Sequence, residues 1–66
     1  MKIVKINRSI YKDQTIRTTI QAYQHHAVIS AEFKNEYALL TFRECKYGEE
    51  LTIKEFENYL IGIENS

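Results

Sequence analysis

The chain has 66 residues, with hydrophobic residues at 44% of its positions and nine basic residues against nine acidic ones. This composition predicts one small folded domain and excludes a disordered tail. Because the formal charge is zero, the chain lacks the basic excess typical of nucleic-acid binding, and nucleic acid ranks low among candidate partners. A chain this short buries only about 60% of the surface that its unfolded form exposes, so a partner would enlarge a marginal core.

Nothing in the sequence indicates export or insertion into a membrane. Cys45 has no second cysteine with which to form an internal disulfide, and residues 1–7 lack the long apolar stretch of a signal peptide. Aliphatic runs such as Leu39-Leu40 are far shorter than the roughly 18 to 20 residues that cross a bilayer. We therefore predict a cytoplasmic protein without a membrane segment.

The first two predicted elements are a strand and an amphipathic helix. Lys2–Asn7 alternates polar residues with Ile and Val, which is typical of a β-strand. Apolar residues then recur at helical spacing from Ile16 to Tyr23, and this pattern predicts a helix over residues 14–25. Asp13 is the expected N-cap of that helix, because its side chain can accept a bond from a free backbone amide.

The segment over residues 28–43 predicts a β-hairpin with a defined register. A two-residue loop at Asn35-Glu36 places apolar residues opposite one another on one face. These inward pairs are Phe33 with Ala38, Ala31 with Leu40 and Ile29 with Phe42. A shift by one residue would turn all of them outward, so the alternation fixes the register. The opposite face then carries Lys34 with Tyr37, Glu32 with Leu39, Ser30 with Thr41, and Val28 with Arg43.

A loop and a second helix complete the chain. Residues 44–50 are typical of a loop around Gly48. Thr52 and Glu55 match the capping-box pattern, which predicts that the helix begins directly after Thr52. The expected buried stripe of this helix consists of Phe56, Tyr59, Leu60 and Ile63.

The resulting order, β-α-β-β-α, predicts an α+β fold: a two-layer sandwich in which two helices cover one face of a three-stranded sheet. Residues 1–66 form a single domain, and the strand order in the sheet stays open. The uncovered sheet face is more apolar than a monomer's solvent face needs to be, although scattered surface hydrophobic residues are normal. Because the core is also small, we predict a partner-binding surface there, with the residues Val28, Tyr37, Leu39 and Arg43.

No set of residues matches a catalytic or cofactor site. Cys45 and the pair His25-His26 lack the spacing of a zinc site or of a Cys-His nucleophile. Glu49-Glu50 suits a helix N-terminus, and two glycines cannot build a phosphate-binding loop. We therefore predict no enzyme activity, no metal and no cofactor. Three tyrosines outside the predicted core lack the basic groove that accompanies base stacking: Tyr11, Tyr37 and Tyr47.

Three segments resemble the small HxsD-type proteins, and the similarity extends over nearly the whole chain. They are Ile-Tyr-Lys-Asp-Gln-Thr-Ile at residues 10–16, the hairpin loop Asn35-Glu36-Tyr37, and Glu-Phe-Glu-Asn-Tyr-Leu-Ile at residues 55–61. The chain departs from that family in having Gly62-Ile63-Glu64 where a final basic residue follows the closing motif. The resemblance implies a non-catalytic accessory protein of ribosomal peptide maturation, in systems of the His-Xaa-Ser type. Its implied partner is a radical S-adenosylmethionine maturase or the precursor peptide.

Several alternatives stay open at this point. A partner could occupy the uncovered sheet face, or an extended peptide could add to a strand edge. A homodimer and a complex with another protein both enlarge a small core. A different hypothesis is a small phage- or plasmid-type regulator or inhibitor that binds a nucleic-acid enzyme or nucleic acid, and steep salt dependence would distinguish phosphate contacts from an apolar interface.

Overall fold

The computed structural model describes residues 1–66 and contains one three-stranded sheet and two helices. The elements are β1 (Lys2–Asn7), α1 (Asp13–Ala22), β2 (Val28–Phe33), β3 (Tyr37–Arg43) and α2 (Glu49–Glu64). The sheet order is β1-β3-β2, and both neighbouring pairs are antiparallel. The α+β prediction is therefore confirmed, and the strand order that the sequence left open has β3 in the middle. Neither helix has the length and apolar character needed to span a membrane.

The hairpin formed by β2 and β3 has the predicted register. The backbone amide of Lys34 donates to the carbonyl of Tyr37 at 2.8 Å, which closes the two-residue loop. The inward residues of the central strand β3 are completely buried: Ala38, Leu40 and Phe42. The observed pairs are Phe33 with Ala38, Glu32 with Leu39, Ala31 with Leu40, Ser30 with Thr41, Ile29 with Phe42, and Val28 with Arg43.

The hydrophobic core lies between the sheet and the two helices. Phe42 from β3 meets Phe56 from α2 edge to face, with ring centroids 5.2 Å apart and planes at 89°. Tyr23 meets the same Phe56 ring at 5.6 Å. Tyr59, predicted in the buried stripe, is 44% exposed, so that part of the prediction is wrong. The eight buried apolar residues are Ile6, Ile16, Ala27, Ala38, Leu40, Phe42, Phe56 and Leu60.

Helix α1 starts and ends differently from the prediction. It runs from Asp13 to Ala22, Lys12 occupies the N-cap position, and the Lys12 side chain makes no capping hydrogen bond. The Asp13 carboxylate instead accepts two hydrogen bonds from the Arg8 guanidinium, at 3.0 and 2.7 Å. Because this ion pair uses both carboxylate oxygens, Asp13 is drawn into a tertiary contact instead of the cap. His25-His26 lies in the turn that follows the helix.

Helix α2 begins one turn earlier than predicted. Its first residue is Glu49, and Gly48 precedes it with a φ of 91°, a conformation that favours glycine. Thr52 lies inside the first turn and is buried, and no side-chain cap forms, so the capping box is not realised. The early start places the Glu49 carboxylate 2.7 Å from the amino group of Met1.

Candidate functional site

The uncovered side of the sheet, which we call the open face, is set by strand alternation. The inward side chains of β3 lie in the core, so the intervening residues project to the opposite side. The register extends the same alternation to both neighbouring strands. The open face thus consists of Ile3, Lys5 and Asn7 from β1, Val28, Ser30 and Glu32 from β2, and Tyr37, Leu39, Thr41 and Arg43 from β3.

The structure brings the four predicted partner-binding residues together on this face. Val28 and Arg43 are paired at one end, Leu39 lies near the middle of the central strand, and Tyr37 lies at the other end. Val28 is 47% exposed and Tyr37 is 38% exposed, while Leu39 is half-buried. No element of the chain covers them.

Ile3 is an apolar member of the open face that the sequence interpretation missed. It lies opposite Thr41 and is 60% exposed. The alternation within residues 2–7 already placed it on the other side from Val4 and Ile6, but the pairing of β1 with β3 was needed to assign that side to the open face. Together with residues of β2 and β3 it lines a shallow depression of about 220 Å³, formed by Ile3, Ser30, Ala31, Glu32, Leu39 and Thr41.

The charges around this depression are unequal. The ammonium of Lys5 lies 4.6 Å from the centroid of the Tyr37 ring, and Lys34 forms an ion pair with Glu32 at 3.0 Å. With Arg43 at the far end, three cations frame the face against one carboxylate. Helix α2, in contrast, contains five glutamates and one lysine. Although the formal net charge of the chain is zero, the open face is therefore positively charged and α2 is negatively charged.

A group of polar contacts, which we call the clasp, lies at the hairpin end of the molecule and joins Arg8 to Asp13, Lys34 and Glu36. Besides binding Asp13, the guanidinium of Arg8 donates to the carbonyl of Lys34, and the Arg8 backbone amide donates to the Glu36 carbonyl at 2.9 Å. Hydrogen bonding to Arg8 lowers the pKa of Asp13, and the same bond raises the pKa of Arg8. A neighbouring depression of about 400 Å³ is lined by Arg8, Asp13, Ser9 and Asn35 among others. The guanidinium of Arg8 and the carboxylate of Asp13 already bind each other. This region connects elements of the fold.

An aromatic cluster lies at the opposite end. The Tyr23 ring contacts His26 at 5.2 Å and Tyr59 at 5.6 Å, and His26 contacts Tyr47 at 5.9 Å. Burial, followed by the nearby charge of Glu55, raises the pKa of the Tyr23 hydroxyl, which keeps its proton. The cluster packs the turn after α1 against α2.

The residues with catalytic or metal-binding chemistry are dispersed. Nowhere do three or more His, Cys, Asp or Glu side chains gather closely enough to share a metal ion. Cys45 is a free, half-buried thiol packed against the core. His26 offers its carbonyl to the Lys46 amide at 2.9 Å, and its ring belongs to the aromatic cluster. The open face is thus the surface with the clearest potential for recognition.

Comparison of the chain with protein-family models, with curated proteins and with solved structures finds no match.

Proposed function

We propose that the protein is a non-catalytic binding subunit that docks a protein or peptide on its open face. The observation that carries this proposal is the set of uncovered apolar side chains on this face, Ile3, Val28, Tyr37 and Leu39, of which Ile3 and Leu39 line the shallow depression. Exposed apolar patches rimmed by polar residues are typical of protein interaction sites. The small core supports the same proposal, because a partner would remove further apolar surface from water.

The chemistry of the open face indicates what kind of segment it would bind. Apolar side chains would enter the depression between Ile3 and Leu39, while carboxylates would approach the cations of Lys5, Lys34 and Arg43. The partner segment is therefore expected to combine apolar and acidic residues. The resemblance to HxsD-type proteins nominates a radical S-adenosylmethionine maturase or its precursor peptide, with this chain acting as a cytoplasmic accessory protein that holds no cofactor.

Affinity capture identifies the partner class. The tagged protein is incubated with nuclease-treated lysate of the source organism, and everything retained is identified by mass spectrometry. Recovery of a radical S-adenosylmethionine enzyme or a short precursor peptide is the expected result. Recovery of a nuclease, a polymerase or a transcription factor would instead support the regulator hypothesis, as would loss of every partner after nuclease treatment.

A charge at the centre of the open face tests the surface itself. Leu39→Asp is expected to weaken partner binding by roughly tenfold or more, because a carboxylate would be desolvated in an apolar contact. Asn58→Asp is the matched control, since it adds the same charge to the exposed side of α2. Titration calorimetry measures both affinities, and circular dichroism verifies both folds. Equal affinity for the two variants would remove the open face as the docking surface.

A further inference from the structure

The free edge of β2 exposes unpaired backbone groups. In an antiparallel ladder, alternate residues bond to the neighbouring strand while the intervening ones direct their amides and carbonyls away from it. The backbone amide of Lys34 donates to the carbonyl of Tyr37 at 2.8 Å, so Lys34 is one of the residues bonded to β3. The alternation then determines which residues of β2 direct their backbone groups to the free edge. They are Ile29, Ala31 and Phe33. Nothing in the chain pairs with this edge, since β2 has β3 as its only neighbour.

The opposite edge of the sheet, on β1, is protected. The Arg8 amide donates to the Glu36 carbonyl at 2.9 Å, so Arg8 faces β3. By the same alternation, the backbone amides and carbonyls of Ile3, Lys5 and Asn7 face the free edge of β1. The Asn7 carbonyl already accepts two amides of the following turn, and Lys5 is the kind of edge lysine that discourages strand pairing. None of the three residues that face the free edge of β2, Ile29, Ala31 and Phe33, is a proline or a lysine. Of the two edges, β2 is therefore the one available for pairing.

We propose that two copies of the chain associate through β2, antiparallel to each other, with Ala31 on the two-fold axis. The edge of β2 is complementary to itself in this register. On the helix side, Ala31 lies opposite Ala31 of the second copy, and Ile29 lies opposite Phe33 of the second copy. Ile29, Ala31 and Phe33, whose backbone groups face the free edge, then form the pairs that exchange both of their backbone hydrogen bonds. The two three-stranded sheets become one six-stranded sheet.

The side chains on the other side of the strand are also compatible with this register. Ser30 lies opposite Glu32 of the second copy, and Val28 lies opposite Lys34 of the second copy, so no like charges are directly opposed. The two Glu32 side chains are diagonal neighbours, and each is already paired with its own Lys34 at 3.0 Å.

Ala31 gives the space that the pairing requires. It is exposed although it lies on the helix side of the sheet, so α1 does not extend over the centre of β2. Its methyl group leaves room for the helix layer of a second copy one strand spacing further away. The pairing would also place the two open faces side by side, which doubles the surface available to a partner. The dimer is independent of that partner's identity.

The wild-type chain tests the dimer without any substitution. Sedimentation velocity over a concentration series is expected to show a rise from the 7.8 kDa monomer to twice that mass. Hydrogen exchange should slow at the Ile29, Ala31 and Phe33 amides as the dimer forms, while the Lys5 amide stays fast. A monomer at every concentration would overturn the proposal. So would protection of those amides only after addition of a peptide, which would assign the edge to that peptide.

Proline scanning of the two edges locates the contact. Ala31→Pro removes an outward amide and leaves the bonds between β2 and β3 intact, so it should raise the dimer dissociation constant by roughly tenfold or more. Lys5→Pro is the matched control on the edge of β1 and should leave dimerisation unchanged. An Ala31→Pro dimer as tight as wild type would overturn the proposal. A dimer weakened only by Lys5→Pro would place the contact on β1 and also overturn it.

A cysteine at the axis gives a readout that does not depend on tolerance of proline. Hydrogen-bonded residue pairs have Cα atoms about 5.5 Å apart, which falls within the range of a disulfide. In a Cys45→Ala background, Ala31→Cys should therefore cross-link to a covalent dimer on mild oxidation. Asn58→Cys, on the exposed side of α2, is the control and should form no covalent dimer. Equal cross-linking of the two variants would contradict the proposed register.

Discussion

Replacing Phe56 with leucine tests whether the core is organised around this ring. Phe56 is completely buried and forms edge-to-face contacts with Phe42 and Tyr23, at 5.2 and 5.6 Å. Each such contact contributes about 0.5 to 1.5 kcal/mol beyond area burial, so Phe56→Leu should cost about 1 to 3 kcal/mol. A domain of this size has a free energy of unfolding of roughly 3 to 10 kcal/mol, so the loss is a large fraction of the total.

Urea unfolding followed by far-UV circular dichroism measures this change. With an m-value of about 1 kcal/mol/M, Phe56→Leu should lower the midpoint by roughly 1 to 3 M. Tyr59→Leu is the matched control on the same helix, because Tyr59 is 44% exposed and contacts only the Tyr23 ring among the aromatic residues, at 5.6 Å. Its cost should stay below about 1.5 kcal/mol. If Tyr59→Leu lost more stability than Phe56→Leu, the assignment of Phe56 to the core and Tyr59 to its rim would be refuted.

Three further predictions concern the helix starts and the clasp. The folded-state pKa of Asp13 lies below its ordinary value of 3.8 because of its bonds to Arg8, so the ionised carboxylate stabilises the fold above that value. Wild type should therefore exceed Asp13→Asn in stability at neutral pH, and urea midpoints measured at successively lower pH should converge as the pH falls through the depressed pKa. Gly48→Ala should cost about 1 to 3 kcal/mol in the same assay, because the φ of 91° and ψ of 148° at Gly48 lie in a region that is essentially restricted to glycine, and a loss near zero would refute that origin. Glu55→Ala should change the midpoint little, since no capping box forms with Thr52; a loss of about 1 kcal/mol would show that the box contributes.

Features set by local alternation were predictable from the sequence. Lys2–Asn7 forms the expected strand, and the hairpin has the expected pairs from Val28 with Arg43 to Phe33 with Ala38. In both cases the apolar residues repeat with a period of two, and a register error would expose an entire set of them.

The starts of the helices and the order of the strands were not predictable from local patterns. Asp13 has the local pattern of an N-cap, but Arg8 binds its carboxylate in the folded chain. The sequence around Thr52 matches a capping box, yet the helix begins one turn earlier, directly after Gly48 with its positive φ. The position of β3 between the other strands depends on pairing across more than thirty residues, as between Ile6 and Ala38.

The candidate site was predictable in part for the same reason. Hairpin alternation placed Val28, Tyr37, Leu39 and Arg43 on one face, whereas Ile3 joined them only once β1 was paired with β3. The separation of charge between the open face and α2 was also hidden, because net charge contains no spatial information. The free edge of β2 became visible only with the strand order.

The most direct test of the open face is an NMR titration of the ¹⁵N-labelled protein with its captured partner. We expect the largest amide shift changes at Ile3, Val28, Leu39 and Thr41, with small changes along the exposed side of α2. The same titration with Leu39→Asp should reduce those changes at equal partner concentration. Shift changes concentrated on α2 or on the aromatic cluster, with the open face unaffected, would contradict the proposed function.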